Sequence, residues 1–393
     1  MSKEIFVKNI FGIFFDGKGL KKDNSLNIIR LFLAILVVYE HTAPLGGYKV
    51  NLDLFGKSVG AWAVYIFFGI SGYLITASAF SNSVPQYLIK RIARIFPAYL
   101  AIQFVTAFIF APLVTLLNGD SIAKLWETPV TPIGYFLGNS LLAIKSWGIG
   151  TTLSTNPYPK AWNGSTWTIW NEFLCYIIIV IIVSLIFKYK KIYIPLMAFL
   201  WLGLSFLSSH LPEVIKASGN GLIDVKLFVP LFAVFMAGSL LYTLRNYLRL
   251  NLFGGIVSLI LAYFIIISFP NFGYQYAAPF ILFVVFVIAN KIPSPKWIKK
   301  NDLSYGVYLV AFPIQQLIAF ALLKIGISIP FIVFAVLASI LSIVVASLSW
   351  KYIELPSLNK VKGNNLTNQE KIDEVPAMPT ETVGVTYRRS SRI

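Results

Sequence analysis

The chain has 393 residues, of which 57% are hydrophobic and only 12% are charged. Soluble globular proteins carry about 25% charged residues, so this composition excludes a soluble domain and indicates a membrane protein. The net charge of +17 does not indicate a nucleic-acid partner, because the basic residues lie in short clusters between apolar blocks. The single cysteine, Cys175, excludes an intrachain disulfide.

The first 24 residues form an amphipathic segment that contains IFVKNIFGIFF. The segment is too short to cross a membrane, and no small-residue cleavage site follows it, so it is not a signal peptide. We predict a cytoplasmic, interfacial helix over residues 1–24.

Ten apolar blocks follow, each about 18 to 22 residues long, which is enough to cross a ~30 Å hydrocarbon core. The blocks are continuous rather than alternating, which favours helices over barrel strands. They begin near Leu26, Gly60, Ile95, Thr166, Ile192, Val225, Leu252, Tyr276, Leu303 and Pro330. The predicted fold is all-α, a polytopic membrane protein with about ten transmembrane helices over residues 25–357.

Basic residues cluster in every second loop, and the intervening loops hold few of them. The clusters contain Lys90, Arg91 and Arg94; Lys188, Lys190 and Lys191; Arg245 and Arg249; and Lys291, Lys296, Lys299 and Lys300. The positive-inside rule then places both termini in the cytoplasm. Residues 358–393 are polar and are predicted to form a disordered cytoplasmic tail. The long outer segment 118–165 is predicted to form re-entrant or lid structure over a site.

The first span contains Arg30 and, eleven residues later, His41. Eleven residues make three helical turns, so both side chains share one stripe with Ala34 and Val37, about 16 Å apart. Polar groups on one stripe of a span favour a cavity, and His suits proton transfer from a hydroxyl. A snorkelling Arg with an interfacial His is the structural alternative. The neighbouring Glu40 is an equally possible ionisable group.

Two arginines, Arg91 and Arg94, project from one face of the third span at i and i+3. This pair is a fork suited to phosphates, as in a nucleotide-linked donor. An ordinary juxtamembrane basic cluster is the alternative.

The fourth span begins Trp167-Thr168-Ile-Trp-Asn-Glu172. Glu172 lies about one and a half turns into the span, at a depth similar to that of His41. An intramembrane carboxylate is a functional candidate, and it is expected to orient His41 or to neutralise its charge. The tryptophans also fit an aromatic belt. Gly69, Ser71 and Gly72 in the second span are expected to serve close helix packing.

Six motifs stand in register over about residues 24 to 358. They are Arg30 with His41, FFGISGYLI, Arg91-x-x-Arg94 with RIFPAYL, Trp167-Thr168 with Glu172 and Tyr176, LSYGVYL, and YIELP. In this order they resemble the motifs of the acyltransferase 3 family of bacterial membrane proteins, which acylate surface and exported carbohydrates. Each motif alone is weak, but six in register are specific.

The resemblance implies an O-acyltransferase of the bacterial inner membrane that takes a cytoplasmic acyl-CoA, acetyl-CoA by family default. Arg91 and Arg94 are then expected to hold the donor, with Arg30 assisting. His41 is expected to mediate transfer to an outer carbohydrate hydroxyl, either as a general base or as an acyl carrier, and Glu172 is the second catalytic candidate. The candidates for substrate binding are Trp167, Tyr305, Tyr308 and Ser71. Membrane lipid is a further partner, and no metal is expected.

The chain departs from the family pattern at two places. Ala311 stands where many members have a His before the Phe-Pro of the ninth span, and Phe173 and Leu174 follow Glu172 where many have Glu and Gln. We expect no appended extracytoplasmic domain, so the chain should complete transfer alone or with a separate partner. A proton-coupled transporter or flippase is the alternative from another class, and a scaffold of a glycan-assembly complex is the third.

Overall fold

The computed structural model describes residues 19–210 and 224–361 of the chain. The predicted amphipathic segment (1–24) and the predicted tail (358–393) lie mostly outside these residues, so both stay predictions. Residues 358–361, which are described, still belong to the last helix.

The described part of the chain is mostly helical. In chain order the helices are α1 (Leu26–Gly46), α2 (Val59–Ser81), α3 (Val84–Leu117), α4 (Pro132–Asn139), α5 (Trp167–Ile186), α6 (Tyr193–His210), α7 (Val225–Thr243), α8 (Leu252–Ser268), α9 (Gly273–Lys291), α10 (Lys296–Lys300), α11 (Ser304–Ile325) and α12 (Phe331–Val361). Nine of them, all but α4, α8 and α10, are long and apolar enough to cross a membrane. The apolar α8 has 17 residues. The predicted all-α polytopic fold is confirmed.

Between α1 and α2 the chain makes a short antiparallel pair of strands, β1 (Asp53–Leu54) and β2 (Lys57–Ser58). Most residues of α7, α9 and α11 are buried, whereas few residues of α6 and α12 are buried. The apolar side chains that α6 and α12 leave exposed, such as Phe199 and Val344, suit contact with lipid.

The predicted start of the third span is wrong. The prediction put it near Ile95, whereas α3 begins at Val84, with Pro85 in the first turn, where a missing amide costs nothing. Arg91 and Arg94 therefore lie inside the helix and not in a loop. The apolar block covered only the part of the helix that suits lipid. It did not include the first turns, which are polar.

Glycines allow α2 and α7 to pack with their backbones in close approach, as predicted for Gly69 and Gly72. A Cβ on Gly72 would lie 1.9 Å from the carbonyl oxygen of Phe235, and one on Gly238 would lie 1.9 Å from that of Gly69. A side chain at either position would force the helices apart. The third residue of the predicted set, Ser71, instead points to α5.

The long segment before α5 packs against α11 at its internal proline. Pro313 has no amide to donate to the carbonyl oxygen of Leu309, four residues earlier. The side-chain amide of Asn163 donates to that oxygen instead, at 2.9 Å, and Asn156 donates to the Gln316 carbonyl oxygen, also at 2.9 Å. These bonds fix the entry to α5, whose first residues line the site described next.

Candidate active site

A cavity of about 500 Å³ lies at the end of the bundle where α1 ends and where α2, α5, α7 and α9 begin. Residues singled out from the sequence line it, among them Glu40, His41, Trp167 and Tyr308. We call it the larger cavity. Its lining combines aromatic rings with polar and charged side chains, which is the composition of a binding site for a polar organic molecule.

His41 is half-buried in the wall of the larger cavity. Its ring meets the ring of Phe312 edge to face, with centroids 5.2 Å apart. Phe312 in turn packs on Gly164, where a Cβ would lie 2.6 Å from the Phe312 ring. No group in the described residues forms a hydrogen bond with either His41 nitrogen, so both nitrogens are available to a substrate.

Glu40 lines the same cavity beside His41. Its carboxylate packs directly on Gly60, because a Cβ there would lie 1.9 Å from Glu40 Oε2. That oxygen is buried and has no hydrogen-bond partner in the described residues. A buried carboxylate oxygen without a donor is costly, so it is a site where a ligand's hydroxyl would bind favourably. Both ionisable candidates of the first span therefore face one cavity.

A smaller cavity of about 40 Å³ adjoins the larger one. It is lined by Arg30, Glu172, Ser304 and Tyr305, and it shares Val64, Thr168 and Tyr308 with the larger cavity. The three shared residues form a common wall. The two adjoining cavities extend from His41 towards Arg30. The sequence predicted that these two side chains lie on one stripe of α1.

The wall is closed by hydrogen bonds at Tyr308. The Tyr308 hydroxyl donates to the carbonyl oxygen of Ser165 at 2.9 Å and lies 2.6 Å from Thr168 Oγ1. Its ring contacts Phe67 edge to face, with centroids 6.3 Å apart. Tyr308, predicted as a substrate-binding residue, thus stands between the two spaces.

Glu172 lies in the smaller cavity, whereas His41 lines the larger one. Its Oε1 accepts hydrogen bonds from Ser71 at 2.7 Å and from Tyr176 at 2.6 Å. No hydrogen bond joins Glu172 to His41 in the described residues. The depth expected from the sequence does not make the two residues neighbours, because Glu172 faces α2 and not His41. Its expected role of orienting His41 gains no support from this geometry.

Four charged side chains form a network beneath the smaller cavity. Asp302 pairs with Arg30 and with Arg94, the latter at 2.5 Å, and Arg94 also pairs with Glu354 at 3.1 Å. Burial alone would raise the pKa of Asp302, but Arg30 and Arg94 outweigh it and lower that pKa to about 2. Two positive and two negative groups thus neutralise one another. The rings of Tyr305 and Trp350 also contact the Arg94 guanidinium, each with its centroid 5.5 Å away.

Arg91 differs from Arg94 although both project from one face of α3. Its guanidinium lies 5.9 Å from the centroid of the Tyr87 ring, and its Nε has no hydrogen-bond partner. Among the described residues no carboxylate pairs with it. The fork expected from the sequence is therefore divided into one paired arginine and one that keeps its charge available.

The sequence reasoning missed Asp302 and did not treat Glu354 as part of a site. A weak signal existed for each. Asp302 stands two residues before Ser304, whose amide and hydroxyl both donate to Asp302 Oδ1, and Glu354 is the carboxylate of the YIELP motif. The sequence did not indicate that both carboxylates pair with Arg94.

Comparisons with known proteins identify the family of the chain. The model of an acyltransferase domain family matches residues 23–351. An O-acetyl transferase of Shigella phage Sf6 is 29% identical over 85% of this chain and 96% of its own length. Nodulation protein 10 of Rhizobium leguminosarum bv. viciae is 26% identical over 85% of this chain and 93% of its own length. No solved structure matches at a significant level. The chain is a membrane-bound acyltransferase and belongs to the acyltransferase 3 family.

Proposed function

We propose that this enzyme moves an acetyl group from cytoplasmic acetyl-CoA to a hydroxyl of a cell-envelope or exported carbohydrate, in the bacterial inner membrane. The observation that carries the proposal is the pair of adjoining cavities, one lined by His41 and the other by Arg30 and Glu172. The relative that is named an O-acetyl transferase supports acetyl as the acyl group. The basic loops support the sidedness.

On the donor side, Arg91 is the residue we assign to the phosphates of the donor. It has a guanidinium without a carboxylate partner, and such a group suits bidentate binding of phosphate. Arg30 and Arg94, whose ion pairs with Asp302 and Glu354 fix their geometry, form the rigid floor of the site beside it. The acyl end of the donor would then point past Arg30 and Glu172 towards the common wall.

On the acceptor side, His41 is the residue we assign to proton transfer. Its imidazole takes the proton of the sugar hydroxyl while the hydroxyl oxygen attacks the thioester carbonyl carbon. The carbon–sulfur bond breaks, the leaving thiolate receives the proton from the imidazolium, and the products are an acetyl ester and CoA. In the covalent alternative His41 itself carries the acetyl group between the two substrates.

Either route needs the thioester carbon and His41 to meet. The wall formed by Val64, Thr168 and Tyr308 separates the two cavities, so Tyr308 must move or the thioester must pass beside it. Breaking its hydrogen bonds to Ser165 and Thr168 is a small cost, about 0.5 to 1.5 kcal/mol for each bond. Glu172 borders the path on the donor side, held by Ser71 and Tyr176.

The proposal is tested with purified full-length protein in proteoliposomes, radiolabelled acetyl-CoA and envelope glycan isolated from the native cells. The wild type should transfer label to the glycan, and His41→Ala should not, although it inserts and binds CoA as the wild type does. Label transfer that survives in His41→Ala would remove His41 from the mechanism. Failure of the wild type to label any glycan would contradict a carbohydrate acceptor. Movement of the glycan across the membrane without acetyl transfer would indicate a transporter or flippase.

A further inference from the structure

The larger cavity is lined by two lysines and one carboxylate, so its charged side chains leave an excess of one positive charge. Its ionisable lining consists of Glu40 and His41, together with Lys57 from β2 and Lys226 from the first turn of α7. Lys226 is exposed and Lys57 half-buried. Neither lysine pairs with a carboxylate in the described residues, so both ammonium groups are available to a ligand.

The helices around the cavity add to this positive potential. The first turns of α2, α5, α7 and α9 all line it, through Gly60, Trp167, Lys226 and Tyr274 respectively. The N-terminal end of a helix carries a partial positive charge, which favours an anion nearby. Asp224 caps α7 by accepting from the amides of Lys226 and Leu227, so the potential of that helix is partly offset. The other three ends have no acidic residue in their first turns.

The cavity also holds two acceptors that lack a donor. Gln275 is 1% exposed, and its Nε2 donates to Ser208 and Tyr274, but its Oε1 is buried without a partner. Glu40 Oε2 is buried without a partner as well. Unsatisfied buried acceptors are rare in folded proteins, and each is a site where a ligand's hydroxyl would donate.

An aromatic surface completes the lining. The rings of Tyr65 and Tyr274 stack with centroids 4.2 Å apart, and the Lys57 ammonium lies 5.1 Å from the centroid of the Tyr274 ring. Aromatic rings cover the apolar faces of sugars, and their hydroxyl and amide neighbours bind the polar edges. Lys57 and the Tyr274 ring thus lie together, next to Gln275 with its unbonded Oε1.

From these observations we propose that the acceptor is an anionic glycan, in which the sugar bound in the larger cavity, or its neighbour, carries a carboxylate or a phosphate. Lys57 and Lys226 bind the negative group, and Glu40 and Gln275 accept hydrogen bonds from sugar hydroxyls. The hydroxyl next to His41 is the one that receives the acetyl group. This inference rests on the proposed carbohydrate acceptor and narrows its class.

The first experiment identifies the charge of the natural acceptor. Membrane vesicles from the native cells are supplied with labelled acetyl-CoA, and the glycan is released from its carrier and applied to an anion-exchange column. We expect the labelled glycan to be retained. Chemical reduction of carboxyl groups should abolish retention on the column if the charge is a carboxylate. Dephosphorylation with hydrogen fluoride should abolish retention if the charge is a phosphate. Labelled glycan in the unretained, neutral fraction would overturn the inference and leave the proposed function standing; no labelled glycan at all would overturn both.

The second experiment assigns the charge to the two lysines. Lys57→Gln and Lys226→Gln should each raise the KM for the retained glycan about 5- to 10-fold with little change in kcat, since one contact to an anion is lost. Lys49→Gln is the matched control, because Lys49 is exposed in the same loop as Lys57 but does not line the cavity. Lys57→Arg should keep most of the affinity, and unchanged CoA binding verifies that each variant is folded. An unchanged KM in both glutamine variants would contradict the assignment.

Discussion

At the end of the bundle where α11 begins, Arg30 and Arg94 are paired with Asp302 and Glu354, and little charge is left over. At the other end, around His41, the polar groups lack such partners: Glu40 Oε2 and Gln275 Oε1 are buried and unbonded. The charged groups of the first region bond to one another, whereas the second region has buried acceptors that the described residues leave unbonded and that a ligand can satisfy. We therefore expect the first region to stabilise the protein and the second to bind its substrates.

The largest effect is expected from Asp302→Asn. It leaves Arg30 and Arg94 without their shared carboxylate, and removal of one partner from a buried ion pair destabilises a protein by about 3–5 kcal/mol. A thermal-unfolding measurement in detergent should show a clearly lower Tm for Asp302→Asn than for the wild type. An unchanged Tm would show that the network is not structural.

The same residue sets a pH dependence. In the folded protein the pKa of Asp302 is about 2, below its ordinary value of 3.8. A lowered folded-state pKa stabilises the protein above the unfolded value, and that stabilisation is lost as the pH falls towards the folded value. The difference in Tm between the wild type and Asp302→Asn should therefore shrink as the pH falls below about 4.

The next effect concerns His41, on the unsatisfied side. His41→Gln removes proton transfer and keeps a polar side chain, so transfer should fall by about 100-fold or more while the Tm stays near that of the wild type. Glu40→Gln, on the adjacent residue, is the matched variant, and its loss should be smaller if His41 is the base. Transfer that falls more in Glu40→Gln than in His41→Gln would exchange the two roles.

Arg91 and Arg94 are expected to respond differently to the same change. Arg91→Lys should weaken CoA binding by a factor of about 10 or more, because ammonium does not reproduce the planar fork, and leave the Tm unchanged. Arg94→Lys should lower the Tm, because one ammonium cannot pair with Asp302 and Glu354 in the same geometry. Isothermal titration with CoA and thermal unfolding measure the two effects. Equal behaviour of both variants in both assays would contradict the division.

The smallest effect is expected from Tyr308→Phe at the common wall. The change removes the hydroxyl that bonds to Ser165 and Thr168 and keeps the ring, so about 1 kcal/mol of wall closure is lost. Hydrolysis of acetyl-CoA without acceptor should then rise a few-fold, since water reaches the donor more easily. Thr168→Val removes the same contact from the other side and should act in the same direction. Hydrolysis that is unchanged in both variants would show that the wall does not limit access.

Much of the fold followed from the sequence, because apolar blocks of membrane length mark their own helices. Arg30 and His41 stood out for the same reason, as polar groups inside such a block. The start of α3 did not, because its first turns are polar, although Pro85 already suits a helix start. Hydropathy therefore identifies the apolar part of a helix that contacts lipid, and it misses polar turns that extend outside the hydrocarbon core.

Contacts between helices were harder to predict than positions along them. Helical spacing gave Glu172 a depth close to that of His41, but depth on one helix does not state which neighbour the side chain faces. Asp302 lies in a loop rich in lysines, where an acidic residue looks ordinary until its distance to Arg94 is known. The site's ion pairs join residues more than 200 positions apart, and no local pattern carries that information.

The central claim is that one site takes the donor from the cytoplasm and delivers acetyl to a hydroxyl on the outer side. It is tested most directly with right-side-out and inside-out membrane vesicles that are supplied with labelled acetyl-CoA on the outside only, and that hold the isolated glycan on the other side. Inside-out vesicles should transfer label to the enclosed glycan in a His41-dependent manner, and right-side-out vesicles should not. Label transfer in right-side-out vesicles, or transfer that ignores His41, would contradict the account.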